Sequence, residues 1–231
     1  HVAKKPPFKG KFEWAIDYYK SMAKKLNITM KLGKEVTAQE VLALKPYSIL
    51  VATGSNVISI PLEGLDQVQT VQAHDVLAND MQFANKKVVV IGGGITGLET
   101  ALYINRQGTN QVSVVDMLPE WPVDMLDMRY QNEALLEVRH CNDQGVALFY
   151  NNKVVKFADG KLFIESTKDG EVKELPADVI VLSVGVKPND ALWQELLASG
   201  HPSVWKAGDA IATGKINKAV LHGSKFGYSL N

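Results

Sequence analysis

Apolar residues along the chain follow two repeats, one typical of helices and one typical of buried strands. In residues 12–26 they recur every three or four positions, which predicts an amphipathic helix packed on a sheet. An unbroken β-branched run at 88–91 predicts a parallel strand that is covered on both faces. A second strand is predicted at 112–115. The apolar spacing from 95 to 102 predicts a helix between them. A strand, a helix and a second strand in this order indicate an α/β fold.

Shorter patterned segments precede this central unit. Strands are predicted at 28–32 and 48–52, and a helix is predicted at 73–77. Thr37 is a plausible helix N-cap because Glu40 follows three residues later, as in a capping box. We therefore expect strands and helices to continue to alternate on this side of the unit.

Segments after the central unit add a different motif. Asp-Gly pairs at 159–160 and 169–170 separate short runs of alternating polarity, which predicts a β-meander. Two prolines predict an irregular loop at 117–127. The other predicted elements are helices at 128–139, 191–197 and 217–228 and strands at 146–150, 154–157, 161–165, 172–175, 178–184 and 203–206.

The polar segment 79–86 predicts a domain boundary near residue 85. We predict a central domain at 86–185. Residues 1–85 and 186–231 are each too small to fold alone, so we expect them to form one domain that the central one interrupts. The predicted fold class is α/β, with two Rossmann-like three-layer domains, a parallel sheet plus the β-meander, and one domain inserted in the other.

Three glycines follow the first central strand in G-x-G-x-x-G spacing. In that spacing Gly92 permits a tight turn, Gly94 lets a pyrophosphate approach the backbone, and Gly97 lets the helix pack closely. The helix then begins with free N–H groups at the positive end of its dipole, which favours an anion. The sequence therefore predicts a dinucleotide-binding turn.

An acidic residue ends the second central strand. Asp116 lies 22 positions beyond Gly94, where a dinucleotide-binding fold places the carboxylate that binds the adenosine ribose hydroxyls. A carboxylate there repels a 2′-phosphate, so NAD(H) is favoured over NADP. A structural glycine turn is the alternative, but the strand, the helix and the acid together favour a cofactor site.

Composition narrows the function further. Lysine plus arginine equals aspartate plus glutamate at 25 each, so we expect no nucleic-acid or membrane partner. Cys141 is the single cysteine, which excludes an internal disulfide, and the histidine spacing predicts no metal site. We expect a cytoplasmic protein. The start at His1, without methionine or a signal peptide, predicts a piece of a longer polypeptide.

The order of motifs resembles a known superfamily. Ala-Thr-Gly at 52–54, the glycine turn followed by Glu99, Val-Gly-x-x-Pro-Asn at 184–189 and Gly-Asp at 208–209 are similar to the pyridine nucleotide–disulfide oxidoreductases. Residues 4–28 and 88–104 further resemble the carboxyl-terminal part of the NADH:flavin oxidoreductases, the group of 2,4-dienoyl-CoA reductase, 2-enoate reductase and trimethylamine dehydrogenase. The resemblance covers nearly the whole chain.

This resemblance implies a larger enzyme. Its members join an FMN-containing barrel with a four-iron cluster to an FAD domain that carries an inserted NAD(P) domain. By that likeness, 86–185 would be the NAD(P) domain, and 1–85 with 186–231 a partial FAD domain. Hydride would pass from NADH to FAD and electrons onward through the cluster to FMN, which would reduce a C=C bond. Barrel, cluster cysteines and the first FAD glycine fingerprint are absent from this sequence, so we expect the barrel to be a partner within the same polypeptide. We also expect weak or no FAD binding by the chain alone, and the final substrate stays open.

The resemblance also implies roles for particular residues. Glu99 aligns with the acid that orients the nicotinamide carboxamide, although an exposed helix glutamate is the alternative. Asp209 would lie near the ribityl–pyrophosphate portion of FAD, and Gly185 against the adenosine half of NAD. The residues carried over are, for NAD, Gly92, Gly93, Gly94, Ile95, Gly97, Asp116 and Gly185, and for FAD, Ala52, Thr53, Gly54, Gly208 and Asp209.

Two other functions stay open at this point. One is a non-catalytic module that holds ADP, as in the trimethylamine dehydrogenase branch. The intact glycine turn, Asp116 and Glu99 favour an electron-input module over it. The other is a small disulfide reductase, which the single Cys141 disfavours.

Overall fold

A five-stranded parallel sheet forms the centre of the larger of two structural units. The computed structural model describes residues 2–119 and 128–230, and its units are His1–Asn27 with Ser59–Val184, and Ile28–Ile58 with Gly185–Asn231. In spatial order, the central strands are β3 (Gln69–Gln72), β10 (Val179–Leu182), β4 (Lys87–Ile91), β5 (Gln111–Val115) and β6 (Ala147–Phe149). This arrangement confirms the predicted α/β class.

The sequence of β4 explains how this sheet is covered on both faces. Val88 and Val90 point into one core, which includes residues of helices α3 (Ala73–Ala78), α4 (Ile95–Asn105) and α5 (Met128–Asp143). Val89 and Ile91 alternate to the opposite face and enter a second core with residues of the β-meander. All four side chains are buried, as a parallel sheet covered on both faces requires.

The predicted β-meander is confirmed. Its antiparallel strands are β7 (Asn152–Ala158), β8 (Lys161–Ser166) and β9 (Val172–Pro176). Asp159 and Gly160 both have positive φ, which matches the hairpin turn that the Asp-Gly pair predicts. Leu162 and Ile164 are fully buried against the central sheet, so this motif forms one of its covering layers.

The second unit has two small sheets. Strand β1 (Ile49–Val51) pairs in parallel with β12 (Val204–Lys206), and β2 (Ser55–Val57) pairs antiparallel with β11 (Val186–Pro188). Thr37 caps helix α2 through the predicted capping box with Glu40. The helices of this unit are α2 (Ala38–Ala43), α6 (Ala191–Ala198) and α7 (Ile216–Ser229).

Two predicted features are wrong. Helix α1 (Phe12–Lys25) forms, but none of its residues is buried, so it does not pack on a sheet. The α3–α5 layer and the β-meander already cover the two faces of the central sheet. Residues 28–32 are all exposed and form no strand, because within the described ranges β1 and β12 pair only with each other.

The division into units differs from the boundary predicted near residue 85. Residues 59–85 lie in the larger unit, because the edge strand β3 pairs with β10 and because Ala73 and Val76 enter the core beneath α4. Most of the loop predicted at 117–127 lies outside the described residues. No helix in the described ranges is both long enough and apolar enough to cross a bilayer.

Candidate functional site

Two of the three glycines in the turn between β4 and α4 have no space for a side chain. Gly92 has a φ of 109°, and a Cβ there would lie 2.2 Å from the carbonyl oxygen of Ser183. A Cβ on Gly97 would lie 1.9 Å from the carbonyl oxygen of Gly92, so the helix meets the turn at its backbone. Both positions therefore exclude a side chain, as the motif predicts.

Gly94 differs from these two glycines because it faces open space. A Cβ built on it meets no atom within 4 Å. Gly94 is also the N-cap of α4, and its carbonyl accepts the first helical hydrogen bond from the N–H of Leu98, at 3.0 Å. The N–H groups that precede Leu98 in the helix have no intrahelical acceptor and lie at the positive end of the dipole. An open backbone in front of free donors suits an anionic group such as a pyrophosphate.

Asp116, at the end of β5, fixes the conformation of this turn. Its Oδ2 accepts a hydrogen bond from the N–H of Gly93 at 2.6 Å, and its Oδ1 accepts one from the N–H of Leu118 at 2.8 Å. A Cβ on Gly93 would lie 2.9 Å from the ring of Tyr150 and 3.1 Å from the Cβ of Asp116. An ionised carboxylate has about four acceptor positions, so Asp116 retains capacity for the hydroxyls of a sugar.

A cavity of about 500 Å³ opens where β4 and β5 end, beside the first residues of the β-meander. Its volume falls within the usual range for small-molecule sites. Two of the predicted residues, Gly92 and Asp116, line it. The other lining residues are Ile60, Pro61, Leu62, Ile91, Val115, Met117, Asn152, Lys153, Val154 and Val184. The walls are mainly apolar, and the few polar groups lie near Asp116.

Asn152 is a lining residue that the sequence did not reveal. It is 8% exposed, and its backbone N–H donates to the carbonyl of Asp116 at 2.9 Å. Its Nδ2 donates to the carbonyl of Tyr150 at 2.7 Å, while its Oδ1 has no donor among the described residues. The Asn-Asn pair at 151–152 indicates only a turn before a strand, so no sequence signal pointed to this side chain.

Glu99 lies on the second turn of α4 and does not line this cavity. Its Oε1 forms an ion pair with the Nζ of Lys9 at 2.7 Å, and its side chain is 14% exposed. The alternative of an exposed helix glutamate is therefore wrong. The same Lys9 ammonium also pairs with Glu133 of α5, so a residue of the amino-terminal segment joins the two helices.

Glu137 of α5 adds a third carboxylate to this cluster. It is buried, and it lies 4.0 Å from the Nζ of Lys9 and 3.7 Å from the Nδ1 of His140. Burial and the neighbouring Glu99 carboxylate raise the pKa of Glu137. Burial alone would lower the pKa of Lys9, but its hydrogen bonds to Glu133 and Glu99 outweigh burial, and that pKa is raised. The Lys9 ammonium thus lies within 4.0 Å of three carboxylates.

Residues predicted to contact FAD converge in the smaller unit. Because β1 and β12 are parallel neighbours, the segments that follow them lie side by side, and the N–H of Ala207 donates to the carbonyl of Val51 at 2.9 Å. Ala52, Gly54, Gly208 and Asp209 all line one cavity of about 430 Å³, which is completed by residues at the start of α7. The carboxylate of Asp209 accepts from the N–H of Gly214 at 3.0 Å.

Two other predicted contacts lie apart from the cavity linings. The hydroxyl of Thr53 donates to the carbonyl of Asn189 and so ties the turn after β1 to the segment after β11. Gly185 has a φ of 98°, and its carbonyl accepts from the N–H of Ile58 at 3.1 Å. Gly185 lies in the smaller unit, and its contact with the adenosine half of NAD stays a prediction.

The described part of the chain has neither a cluster of metal ligands nor a reactive thiol. No group of three His, Cys, Asp or Glu side chains there is placed to hold a metal ion. Cys141 is buried, and burial raises the pKa of its thiol to about 12. A thiol in that environment remains protonated and is a poor nucleophile.

Comparisons with known proteins found a matching family and several relatives. A family model for pyridine nucleotide-disulphide oxidoreductases matches residues 12–221. A bilirubin reductase from Mediterraneibacter gnavus is 32% identical over 189 residues, which are 82% of this chain and 28% of that protein. An NADH oxidase from Thermoanaerobacter brockii is 29% identical over 237 residues, which are 99% of this chain and 35% of that protein.

A solved structure shares the fold over almost the whole chain. It is that of a 2-naphthoyl-CoA reductase in complex with 2-naphthoyl-CoA, with a TM-score of 0.86 and 26% sequence identity. The match covers 98% of this chain and 33% of that one. The chain thus spans about a third of the length of these relatives.

Proposed function

Because the chain belongs to the pyridine nucleotide-disulphide oxidoreductase family, we propose that it is the electron-input part of an NADH-dependent flavin oxidoreductase. The family predicted from the order of motifs is thereby confirmed. Members of this family bind FAD and NAD(P), and both named relatives above are redox enzymes. NAD(H) as the preferred cofactor, and FAD as the acceptor of its hydride, are parts of the proposal.

The observation that carries the proposal is the open amino end of α4. Gly94 presents bare backbone and free N–H donors, while Gly92 and Gly97 admit no side chain. Asp116 lies beside this turn and at the cavity wall, so a ligand with two phosphates at α4 would have its adjacent sugar near a carboxylate. A negative charge at that position favours NADH over NADPH.

In this proposal the chain binds and orients while the cofactors carry the redox chemistry. When bound, NADH supplies a hydride and FAD accepts it. Gly93, Gly94 and Ile95 hold the phosphates of NADH, and Asp116 holds the adenosine ribose. Glu99 accepts a hydrogen bond from the nicotinamide carboxamide, and its ion pair with Lys9 holds the carboxylate in place. Ala52, Thr53, Gly54, Gly208 and Asp209 contact FAD, and Gly185 contacts the adenosine half of NADH.

Exposed apolar side chains support the proposal that this chain contacts another domain of the same polypeptide. Trp14, Tyr18 and Tyr19 of α1 are 55–70% exposed, and Leu32 and Tyr47 of the smaller unit are more than 80% exposed. Exposed aromatic residues in such number mark surfaces that contact other protein. We assign them to the remainder of a longer chain, a barrel with FMN and a four-iron cluster, as in the resembling enzymes.

The substrate of the whole enzyme is proposed from its relatives. The solved relative is a complex with 2-naphthoyl-CoA, an aromatic acyl thioester, and the enzyme from Mediterraneibacter gnavus is named for bilirubin. Both are conjugated molecules. A C=C bond activated by a carboxylate or thioester group, in an enoate or an enoyl-CoA, is the substrate class that we propose.

A non-catalytic ADP-binding module is the second candidate. ADP would use the same turn and the same Asp116, so the cavity alone favours neither function. The contact between Glu99 and Lys9 favours electron input, because it holds a carboxylate acceptor in place on α4 beyond the phosphate turn.

Isothermal titration of the 231-residue chain with NADH, NADPH and ADP tests the two functions. We expect NADH and ADP to compete for one site, NADH to bind at least about threefold more tightly than ADP, and NADPH to bind more weakly than NADH. Replacement Glu99→Gln should reduce the affinity for NADH and leave that for ADP unchanged. Equal affinities for NADH and ADP would identify an ADP module, and no binding of either would refute the proposal.

A further inference from the structure

Residues 2–9 form a strap across the helix layer of the larger unit. The Nζ of Lys5 lies 2.5 Å from a carboxylate oxygen of Asp80, two residues after α3. At the carboxyl end of the strap, the Nζ of Lys9 lies 2.7 Å from Glu99 of α4. The strap therefore has two separate anchors on this layer, and the second anchor is the carboxylate proposed to bind the nicotinamide.

The anchor at Asp80 is also connected to α4. The hydroxyl of Tyr103 donates to the carboxylate of Asp80 at 3.3 Å, and Tyr103 lies one helical turn after Glu99. Residues four positions apart share a face of a helix, so both anchors act on the same face of α4. The hydrogen bond from Lys5 lowers the pKa of Asp80, so that carboxyl is ionised at neutral pH.

The strap is held by charge and by one aromatic side chain rather than by a buried core. Among the described residues 2–9, only Pro6 is buried. Phe8 is 64% exposed, and its ring lies between the imidazole of His140, at 4.7 Å, and the guanidinium of Arg106, at 4.3 Å. Its φ of 67° is rare for a bulky residue and persists only where surrounding contacts hold it. A segment with so few buried contacts can open while the rest of the unit stays folded.

We propose that the strap is a releasable device that positions Glu99, with Lys5 and Lys9 as its positioning residues. While docked, it holds the Glu99 carboxylate for the nicotinamide carboxamide. This inference rests on the proposed function, because it requires that the nicotinamide half of NADH contact Glu99.

Linkage gives the proposal a measurable consequence. If the docked strap raises the affinity for NADH by some factor, NADH must favour the docked strap by the same factor. ADP lacks the nicotinamide half and does not reach Glu99 in this proposal. NADH should therefore stabilise the strap, whereas ADP should leave it unchanged.

Hydrogen exchange of the unmodified 231-residue chain, with saturating ADP or saturating NADH, tests this coupling. The N–H groups of Lys5 and Lys9 donate to the carbonyls of Val2 and Pro6 at 2.9 and 3.2 Å, so a peptide of residues 2–11 reports on the strap. We expect this peptide to exchange at least about threefold more slowly with NADH than with ADP. Equal exchange with the two nucleotides would overturn the inference.

The variant Lys5→Met tests the strap at its remote anchor. Lys5 pairs with Asp80, and within the described residues it has no ion pair with Glu99. A loosened strap should position Glu99 less often, so we expect the affinity for NADH to fall about threefold and the affinity for ADP to stay the same. An unchanged affinity for NADH in Lys5→Met would overturn the strap.

Two further variants complete the comparison. Lys9→Met removes the contact with Glu99 and should weaken NADH binding at least as much as Lys5→Met, while retained ADP binding shows that the glycine turn is intact. Lys20→Met is the matched control, because its ion pair with Asp17 is exposed and lies within α1. This control should retain both affinities, and an equal loss of NADH affinity in Lys20→Met would refute the assignment to the strap.

The outcomes separate this inference from the proposed function. If NADH and ADP bind the unmodified chain with equal affinity, electron input is refuted, together with the role of the strap. If NADH binds more tightly than ADP, but neither the exchange of residues 2–11 nor the Lys5→Met variant responds as expected, the strap alone is overturned.

Discussion

A single lysine of the amino-terminal segment balances a cluster of acidic residues on two helices. Lys9 contacts Glu99, Glu133 and Glu137, and its side chain is 18% exposed. The cluster has more acidic than basic groups, so the Lys9 ammonium is needed to offset repulsion between the carboxylates. Its position near the start of the chain did not predict this role. Sequence spacing identified Glu99, but its partner lies 90 positions away, and no local pattern predicts such a contact.

Replacing Lys9 should destabilise the larger unit. In Lys9→Met the carboxylates of Glu99 and Glu133 lose their common cation, and we expect the free energy of unfolding to fall by about 1–3 kcal/mol. Urea denaturation measures this change. Lys20→Met is the control, because the ion pair of Lys20 with Asp17 is exposed at both ends and should contribute less than about 1 kcal/mol. Equal effects of the two substitutions would contradict this account.

The pH dependence of stability should report on Glu137. Burial and the Glu99 carboxylate raise the pKa of Glu137 in the folded protein above the unfolded value of about 4.3. The folded state therefore holds the proton more tightly. The resulting contribution to stability is present below the unfolded pKa and is lost as the pH rises through the folded pKa. Above the folded pKa, the charged side chain of Glu137 opposes folding.

Glu137→Gln keeps the shape of the side chain and removes its charge. We expect this variant to be more stable than the unmodified protein at pH 7.5, with a smaller gain or none at pH 4, as measured by thermal denaturation at both pH values. Asp143→Asn is the control, because Asp143 is exposed and its ion pair is with the exposed Arg139. A gain of the same size at both pH values would show that ionisation of Glu137 does not cause the pH dependence of stability.

At the level of elements, most helices and strands follow from their apolar periodicity, and the exceptions have physical causes. The apolar residues of β4 and β5 and the Asp-Gly turns of the β-meander were sufficient to predict these elements from local sequence. Strand β3 was missed because its sequence is mainly polar and it lies at the edge of the sheet, where one side needs no apolar partner. Residues 28–32 have a strand-like pattern, but β-propensity forms no strand without a neighbouring strand.

The two ends of the glycine turn should respond differently to an added methyl group. In Gly97→Ala the new Cβ would lie 1.9 Å from the carbonyl oxygen of Gly92, so the helix must move and the melting temperature should fall by several degrees. In Gly94→Ala the methyl group meets no protein atom, so stability should change by less than about 1 kcal/mol. The same methyl group would occupy the space for a pyrophosphate, and affinity for ADP should fall at least about tenfold.

Thermal denaturation and ADP titration of both variants check these outcomes together. The comparison separates a structural glycine turn from a phosphate-binding one, the two alternatives that the sequence left open. A Gly94→Ala protein that melts normally and binds ADP as tightly as the unmodified protein would show that no phosphate approaches this position.

At the scale of the whole molecule, the two units differ in how much core they have. Among the described residues, the larger unit buries two apolar clusters of 16 and nine residues, whereas the smaller unit buries one cluster of three: Ile49, Val51 and Leu196. Burying a large apolar side chain contributes about 1.5–3 kcal/mol. The sizes of the flanking segments predicted an interrupted domain, but the sequence did not predict the small core of the second unit, which depends on contacts between distant segments.

Unequal cores predict two unfolding transitions. We expect the segments Ile28–Ile58 and Gly185–Asn231 to lose hydrogen-exchange protection at lower urea concentration than β4, β5 and α4. Hydrogen exchange with mass spectrometry, repeated across a urea series, resolves the segments. A single transition shared by both sets of peptides would show that the units unfold as one body.

Ligand linkage then locates the nucleotide in one unit. ADP at 100 times its dissociation constant should stabilise the unit that binds it by about 2.7 kcal/mol, which moves a urea midpoint by about 1 M or more. We expect this shift in the peptides of β4, β5 and α4 and none in those of the smaller unit. Gly94→Ala at the same ADP concentration is the control and should show at most about half of this shift, because its affinity for ADP is at least about tenfold lower. Because stabilisation follows the site that the ligand occupies, an equal shift in both sets of peptides, or a shift confined to the smaller unit, would place ADP elsewhere than the α4 turn.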